Sequence, residues 1–248
     1  MTNPSGIWPQ PHAEDQFSHV VPRDSDACVS YSTVHVIESF IKQTLGLDIQ
    51  FSERFLAKMS GTTLAGNTFE NVFNTLRQYG LCLDTDWPEP TQFTWEEYYA
   101  PIPPEVIAKG QELFKYVDIG PWKQIDLDNL AEALKDAPLV MFTPAGTPTH
   151  AREVLSVSQV FDTYPPYVEA LPDSIYGFYQ MSLTPKNQMQ LIRDNGTIFL
   201  VSSDKTSKIG IGNADVLTNF FPTEQVVDQD TSHIPQIGTL ADGVVLHK

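Results

Sequence analysis

The hydrophobic pattern changes its period near residue 139, and this change limits the fold more than any other feature of the chain. Upstream, Val34, Ile37, Ile41 and Leu45 recur at three- and four-residue steps with Phe40 beside them, which predicts a buried helix over 28–45 stopped by Gly46. Residues 52–59 and 68–79 read as two further capped helices, the second with Val72, Phe73 and Leu76 on its inner face and Gly80 as its stop. A Pro- and Trp-rich connection through Trp87, Pro88 and Trp95 leads to helices near 104–114 and 128–134. Downstream, Leu139–Phe142, Arg152–Val160 and Ile175–Leu183 alternate or run apolar with β-branched and aromatic residues, as strands do. The expectation is an α+β fold in which a helical half precedes an antiparallel sheet half.

The flanks differ from this middle. Residues 1–24 carry Pro4, Pro9, Pro11 and Pro22 and read as an extended arm, 25–185 as the main domain, and 186–248 as a small all-β module. In that module Leu191–Arg193 and Thr197–Val201 flank an Asn195-Gly196 hairpin signal, and 207–211 and 243–247 supply more short strands. Its expected role is binding or docking. Gly196, Gly210 and Gly212 do not make a phosphate loop, since no Lys-Ser/Thr follows. The acidic residues Glu224, Asp228 and Asp230 lack regular calcium-ligand spacing and read as a solvated face.

Charge narrows the partners. Lys and Arg number 15 against 31 Asp and Glu, a net charge of −16 in 248 residues, so the long-range field repels phosphate backbones and anionic membrane surfaces. No nucleic-acid or membrane partner is expected. No apolar run approaches the roughly 18 residues of a spanning helix, and residues 1–6 lack the basic and apolar regions of a secretion signal. Two cysteines are too few for a disulfide framework or a cysteine-based zinc site, and neither a metal nor a cofactor is implied.

Each cysteine is therefore judged singly. A thiol attacks well only as thiolate, a form favoured at a helix N-terminus and beside a cationic histidine. Cys28 opens the long helix, with Asp24, Ser25 and Asp26 as cap candidates before it, so backbone N–H groups of the first turn face the sulfur and could hold an oxyanion. Cys82, between Leu81 and Leu83, reads as core.

Among six histidines, His35 shares the Cys28 face of the helix but lies about two turns, roughly 10 Å, along the axis, and reads as a helix-face residue. His12 and His19 fall in the arm, His233 and His247 in the module. His150 opens a strand after a turn-rich loop, and Asp162 follows at 162 − 150 = 12 positions, which suits adjacent antiparallel strands joined by a hairpin. Cys28 as nucleophile, His150 as base and Asp162 as its orienter are the candidate catalytic residues.

This order of Cys28, His150 and Asp162 on a helix-then-sheet chain resembles the papain-like cysteine peptidases, over about residues 16–183. Cys28-Val29-Ser30-Tyr31-Ser32 looks like the start of that family's central helix, 68–86 its second-helix region, and 126–140 the helix and strand that precede its histidine. Phe161-Asp162-Thr163-Tyr164-Pro165 looks most like the divergent members encoded by tailed bacteriophages. The resemblance implies a thiol hydrolase acting on peptide or protein substrates, and, if phage-encoded, a place in the host cytoplasm or the virion, with a virion or cell-surface partner for the module.

The departures are specific. Ser25-Asp26-Ala27 precedes the cysteine, Val29 replaces the aromatic that follows it, and Pro22, Arg23 and Asp24 stand where the family places its oxyanion-hole glutamine, Gln16 being too distant. The family's Asn-Ser-Trp segment is replaced by Asp162-Thr163-Tyr164. The alternatives are a non-catalytic structural or docking protein on the same scaffold, and acyl transfer or amidase action by the same nucleophile.

Overall fold

The long helix expected at Cys28 is the axis of the computed structural model, which describes residues 3–11, 25–143, 150–163, 167–186, 190–195, 197–201, 208–211, 226–228, 232 and 236–240. It falls into two compact units, 1–184 and 185–248.

In the first unit, helix α1 (Cys28–Leu45) is buried at every position from Val29 to Ile41 and ends at Gly46, whose φ of 67° is the left-handed stop read from the sequence. Burial all round marks a helix enclosed by other elements, and α1 packs against α2 (Glu53–Met59), α3 (Phe69–Tyr79), β2 (Leu139–Thr143) and β3 (His150–Ser156). Ser52 caps α2 by accepting from the Phe55 amide, and Thr68 caps α3 by accepting from the Asn71 amide. Helix α4 (Trp95–Tyr98) lies within the Pro- and Trp-rich connection, capped by Thr94.

The helix expected over 104–114 is shorter. Helix α5 (Pro104–Lys109) tightens into a 3-10 turn from Gly110 to Lys115. Here two backbones nearly touch: a Cβ on Gly80 would lie 2.1 Å from the Gly110 carbonyl oxygen, and one on Gly110 would lie 2.3 Å from that of Tyr79. Helix α6 (Leu130–Ala133) is likewise brief, preceded by a 3-10 turn over Leu127–Asn129.

The sheet half has six strands in the order β1-β6-β2-β3-β4-β5, with β1 at Val117–Ile125, β4 at Gln159–Phe161, β5 at Val168–Ala170 and β6 at Gly177–Pro185. Each registered pair among β6, β2, β3, β4 and β5 is antiparallel. The hairpin expected between His150 and Asp162 is β3 and β4, folded back at Val157 and Ser158 with an irregular step between Val154 and Ser156, so the apolar run 152–160 spans both strands. Strands β1 and β5 were not apparent in the sequence, because mixed polar runs such as Asp118, Lys123 and Gln124 obscure their alternation. A continuous core joins the halves, with Phe40, Phe55, Phe73, Leu113, Val154 and Phe161 at most 1% exposed.

The described part of the N-terminal arm does not run free. Trp8 is buried, stacks on Phe40 at 5.8 Å, donates its indole N–H to the Leu134 carbonyl at 2.7 Å, and receives the Leu155 carbonyl on its own amide at 2.9 Å. Residues 12–24 lie outside the described residues.

The second unit is a five-stranded sheet of order β10-β7-β8-β9-β11. β7 (Gln190–Asp194) and β8 (Thr197–Val201) form the expected Asn-Gly hairpin, Asn195 at a φ of 49°. β9 (Lys208–Ile211) pairs antiparallel with β8, while β10 (Val226–Asp228) and β11 (Gln236–Leu240) add parallel to β7 and β9. The strand expected at 243–247, together with Gly196, Gly212, Glu224 and Asp230, lies outside the described residues.

Candidate active site

Cys28 is the first residue of α1 and is half-buried. The turn before it is not capped as the sequence suggested: Ala27 occupies the cap position without a side-chain bond, and its carbonyl accepts from the amides of Ser30 and Tyr31 at 2.8 and 3.1 Å. Asp24 lies outside the described residues, and Asp26, at a φ of 54°, turns the chain into the helix. What fixes this turn is a small aromatic cluster of Ala27, Tyr31, Ala57, Tyr98 and Tyr99, flanked by Phe93 and Trp95. Tyr99 donates its hydroxyl to the Ser25 carbonyl, and the Tyr98 hydroxyl donates to that of Tyr31 at 3.1 Å.

The Pro- and Trp-rich stretch that read as a connection thus holds the start of α1, anchored further by Arg54, which donates to the carbonyls of Tyr98, Pro88 and Glu97. Burial pushes the Tyr99 phenol upward, so it stays protonated at the helix start.

His150 is the first residue of β3, opposite Thr143 on β2, and Asp162 directly follows β4. The β3–β4 hairpin brings His150 Nε2 to 2.8 Å from Asp162 Oδ2. The Cys28 thiol lies close enough to the same imidazole to favour its protonated form. Asp162 is 4% exposed, and its amide donates to the Tyr167 carbonyl at 2.7 Å. The chain therefore brings together all three residues singled out in the sequence.

Burial alone would push the imidazole of His150 down. The hydrogen bonds and charges of Asp162 and Cys28 outweigh it and lift the value to about 9. Burial would likewise raise Asp162, but hydrogen bonds and charges from His150 and Arg152 hold its carboxyl below the ordinary range. The imidazolium is thus favoured beside the Asp162 carboxylate.

Arg152 was missed at the sequence level, although it stands two residues after His150, on the same face of the strand. Its Nε donates to Asp162 Oδ2 at 2.6 Å, and its guanidinium also reaches Thr143 Oγ1 at 3.5 Å and Glu169 at 3.7 Å.

The other cysteine and the other helix histidine are elsewhere. Cys82 is fully buried, and burial pushes its thiol up to about 12. His35, expected on a helix face, is in the core at 1% exposed, edge-on to Phe161 and 3.4 Å from Glu53. With Glu38 it forms the one group of metal-ligand types found among the described residues, its ligand atoms within 4.8 Å of one another. Glu38 accepts the Phe51 amide at 2.7 Å. Gln16, Pro22, Arg23, Tyr164, Pro165, the loop 144–149 and the histidines His12, His19, His233 and His247 lie outside the described residues.

No protein-family model matches the chain, and no curated protein matches it. Among solved structures, the chain is similar to the Carica candamarcensis cysteine protease CMS1MS2 in complex with E-64, at 12% identity, covering 71% of this chain and 98% of that one with a TM-score of 0.46. The bromelain protease from Ananas comosus in complex with the E64 inhibitor aligns at 12% identity over 72% and 98% of the two chains, TM-score 0.47. Digestive procathepsin L 3 of the Tenebrio molitor larval midgut aligns at 11% identity over 68% of each chain, TM-score 0.48.

Proposed function

We propose that this chain is a thiol-dependent hydrolase of papain-like organisation that cleaves peptide bonds through Cys28. The observation that carries the reading is the His150 ring held 2.8 Å from the buried Asp162 carboxylate, with Cys28 at the helix start close enough to favour the ring's protonated form. In this reading His150 takes the thiol proton and the thiolate attacks the substrate carbonyl carbon, forming a C–S bond and moving the carbonyl electron pair onto oxygen. The helix start offers the amides of Cys28 and Val29 to that oxyanion, ahead of the intrahelical bond made by Ser30. The C–N bond then breaks as the His150 imidazolium gives its proton to the leaving amine. A water deprotonated by His150 hydrolyses the thioester and regenerates the pair.

Asp162 supports this sequence by fixing the ring and its proton-bearing nitrogen, and the aromatic cluster around Tyr99 supports it by fixing the turn that carries Cys28. The phage-type character of the Phe161-Asp162-Thr163 segment and the docking role of the unit 185–248 belong to the same proposal.

The test is alkylation by iodoacetamide, read at each cysteine by peptide mass. Cys28 reacts much faster than Cys82 between pH 6 and 8, and His150→Ala removes most of that advantage. Equal, slow labelling of both cysteines in the native protein would overturn the proposal.

A further inference from the structure

A buried aspartate beside a catalytic histidine poses a chemical problem. The imidazolium must surrender its proton to the leaving amine, and a bare, enclosed carboxylate 2.8 Å away holds that proton on the ring. Asp162 is 4% exposed, so water cannot screen it.

The same oxygen has a second donor. Arg152 Nε lies 2.6 Å from Asp162 Oδ2, closer than the His150 ring, while the rest of the guanidinium is held by Thr143 on β2 and Glu169 on β5. Three strands thus clamp one arginine against one carboxylate oxygen. Arginine keeps its charge at any pH the protein meets, and its planar fork fixes direction as well as charge.

We propose that Arg152 is a positioning residue that holds Asp162 by the oxygen facing His150 and cancels much of its charge, so that the carboxylate orients the imidazole without locking the proton onto it. This rests on the reading of Cys28, His150 and Asp162 as a working site. Among the described residues, the charged and titratable groups around the ring are Asp162 after β4, Arg152 on β3, Glu169 on β5 behind the arginine, and Cys28 on α1 with Asp26 and Tyr99 near it. Of these, Arg152 is the cation bonded to the Asp162 carboxylate.

The measurement is an NMR titration of the His150 ring in the full chain carrying Cys28→Ser, the signal assigned by its loss in His150→Ala. Arg152→Gln raises the His150 midpoint by about 1 pH unit, as removal of a nearby opposite charge from the carboxylate should. Arg152→Met, which keeps the volume without the charge, gives the same rise if the glutamine variant folds poorly, and Arg152→Lys returns the midpoint most of the way. With Asp162→Asn already present, Arg152→Gln moves the midpoint little, because its effect passes through the carboxylate. An unmoved or lowered midpoint in both neutral variants, or an equal shift with and without Asp162, would overturn the proposal. The two readings fail separately: slow labelling of Cys28 removes the hydrolase reading while the titration still reports on Arg152, and fast, His150-dependent labelling with an unmoved midpoint removes only the role given to Arg152.

Discussion

Helix α1 touches two sets that each bring an imidazole to a carboxylate, and they differ in what closes around them. His150 meets Asp162 at 2.8 Å, keeps a fifth of its side chain exposed, and faces the thiol at the helix start. His35, seven residues along α1 from that thiol, sits 3.4 Å from Glu53 with 2% of its side chain exposed, under Phe161 and beside Glu38. The first set is open to solvent beside a thiol, as the proposed hydrolase requires. The second is enclosed in the core, where polar groups can contribute to stability and specificity of packing. Access and the neighbouring sulfur separate the two, not the pairing of imidazole with carboxylate as such.

The largest contrast is expected in reactivity. His150→Ala lowers the rate of Cys28 alkylation and any peptide turnover by about 10²- to 10⁴-fold, whereas His35→Leu leaves both within a few-fold; comparable losses in the two variants would erase the distinction between the sets. Stability should invert the order. Glu53→Gln, which removes one charge from the enclosed set, lowers the unfolding free energy by about 3 kcal/mol in urea titrations while the pH profile of Cys28 labelling stays that of the native protein.

A smaller effect concerns pH. His150 is raised above its ordinary value, so its pairing adds stability that is fully present below about pH 6.5 and is lost as pH rises through about 9. Asp162 is lowered, so its share is present above about pH 4 and disappears as pH falls through its depressed value. Urea midpoints from pH 6 to 10 should therefore fall less in Asp162→Asn than in the native chain; parallel curves would show that the pair is not coupled to folding. The smallest change is Cys82→Ala, which costs about 1 kcal/mol of packing and leaves Cys28 labelling untouched.

Much of the site was legible because its parts lie where local rules operate. A cysteine at the start of a strongly apolar helix, a histidine opening a strand and an aspartate one hairpin later each carry a short-range signal, and those signals match where Cys28, His150 and Asp162 lie on α1, on β3 and after β4. Other parts carried none. Tyr99 holds the Ser25 carbonyl across 74 positions of sequence, and no periodicity points from one to the other. Arg152 was within reach of a period-two argument from His150, but an arginine on a strand ordinarily reads as solvent-facing, and its carboxylate partner is set by the hairpin register.

The order of helices and core strands, the stop at Gly46, the Asn-Gly hairpin of the second unit and the positions of Cys28, His150 and Asp162 at the ends of their elements are all local properties, since they depend on backbone preferences and burial periods acting over a few residues. Packing set the rest: that Ala27 and an aromatic cluster, rather than an acidic cap, present Cys28; that Trp8 is core; that His35 is enclosed; and that one carboxylate oxygen is shared between His150 and Arg152. The aromatic cluster, Trp8 and His35 depend on contacts between residues far apart in the chain, and the shared oxygen on side-chain geometry across one hairpin, neither of which a local pattern encodes.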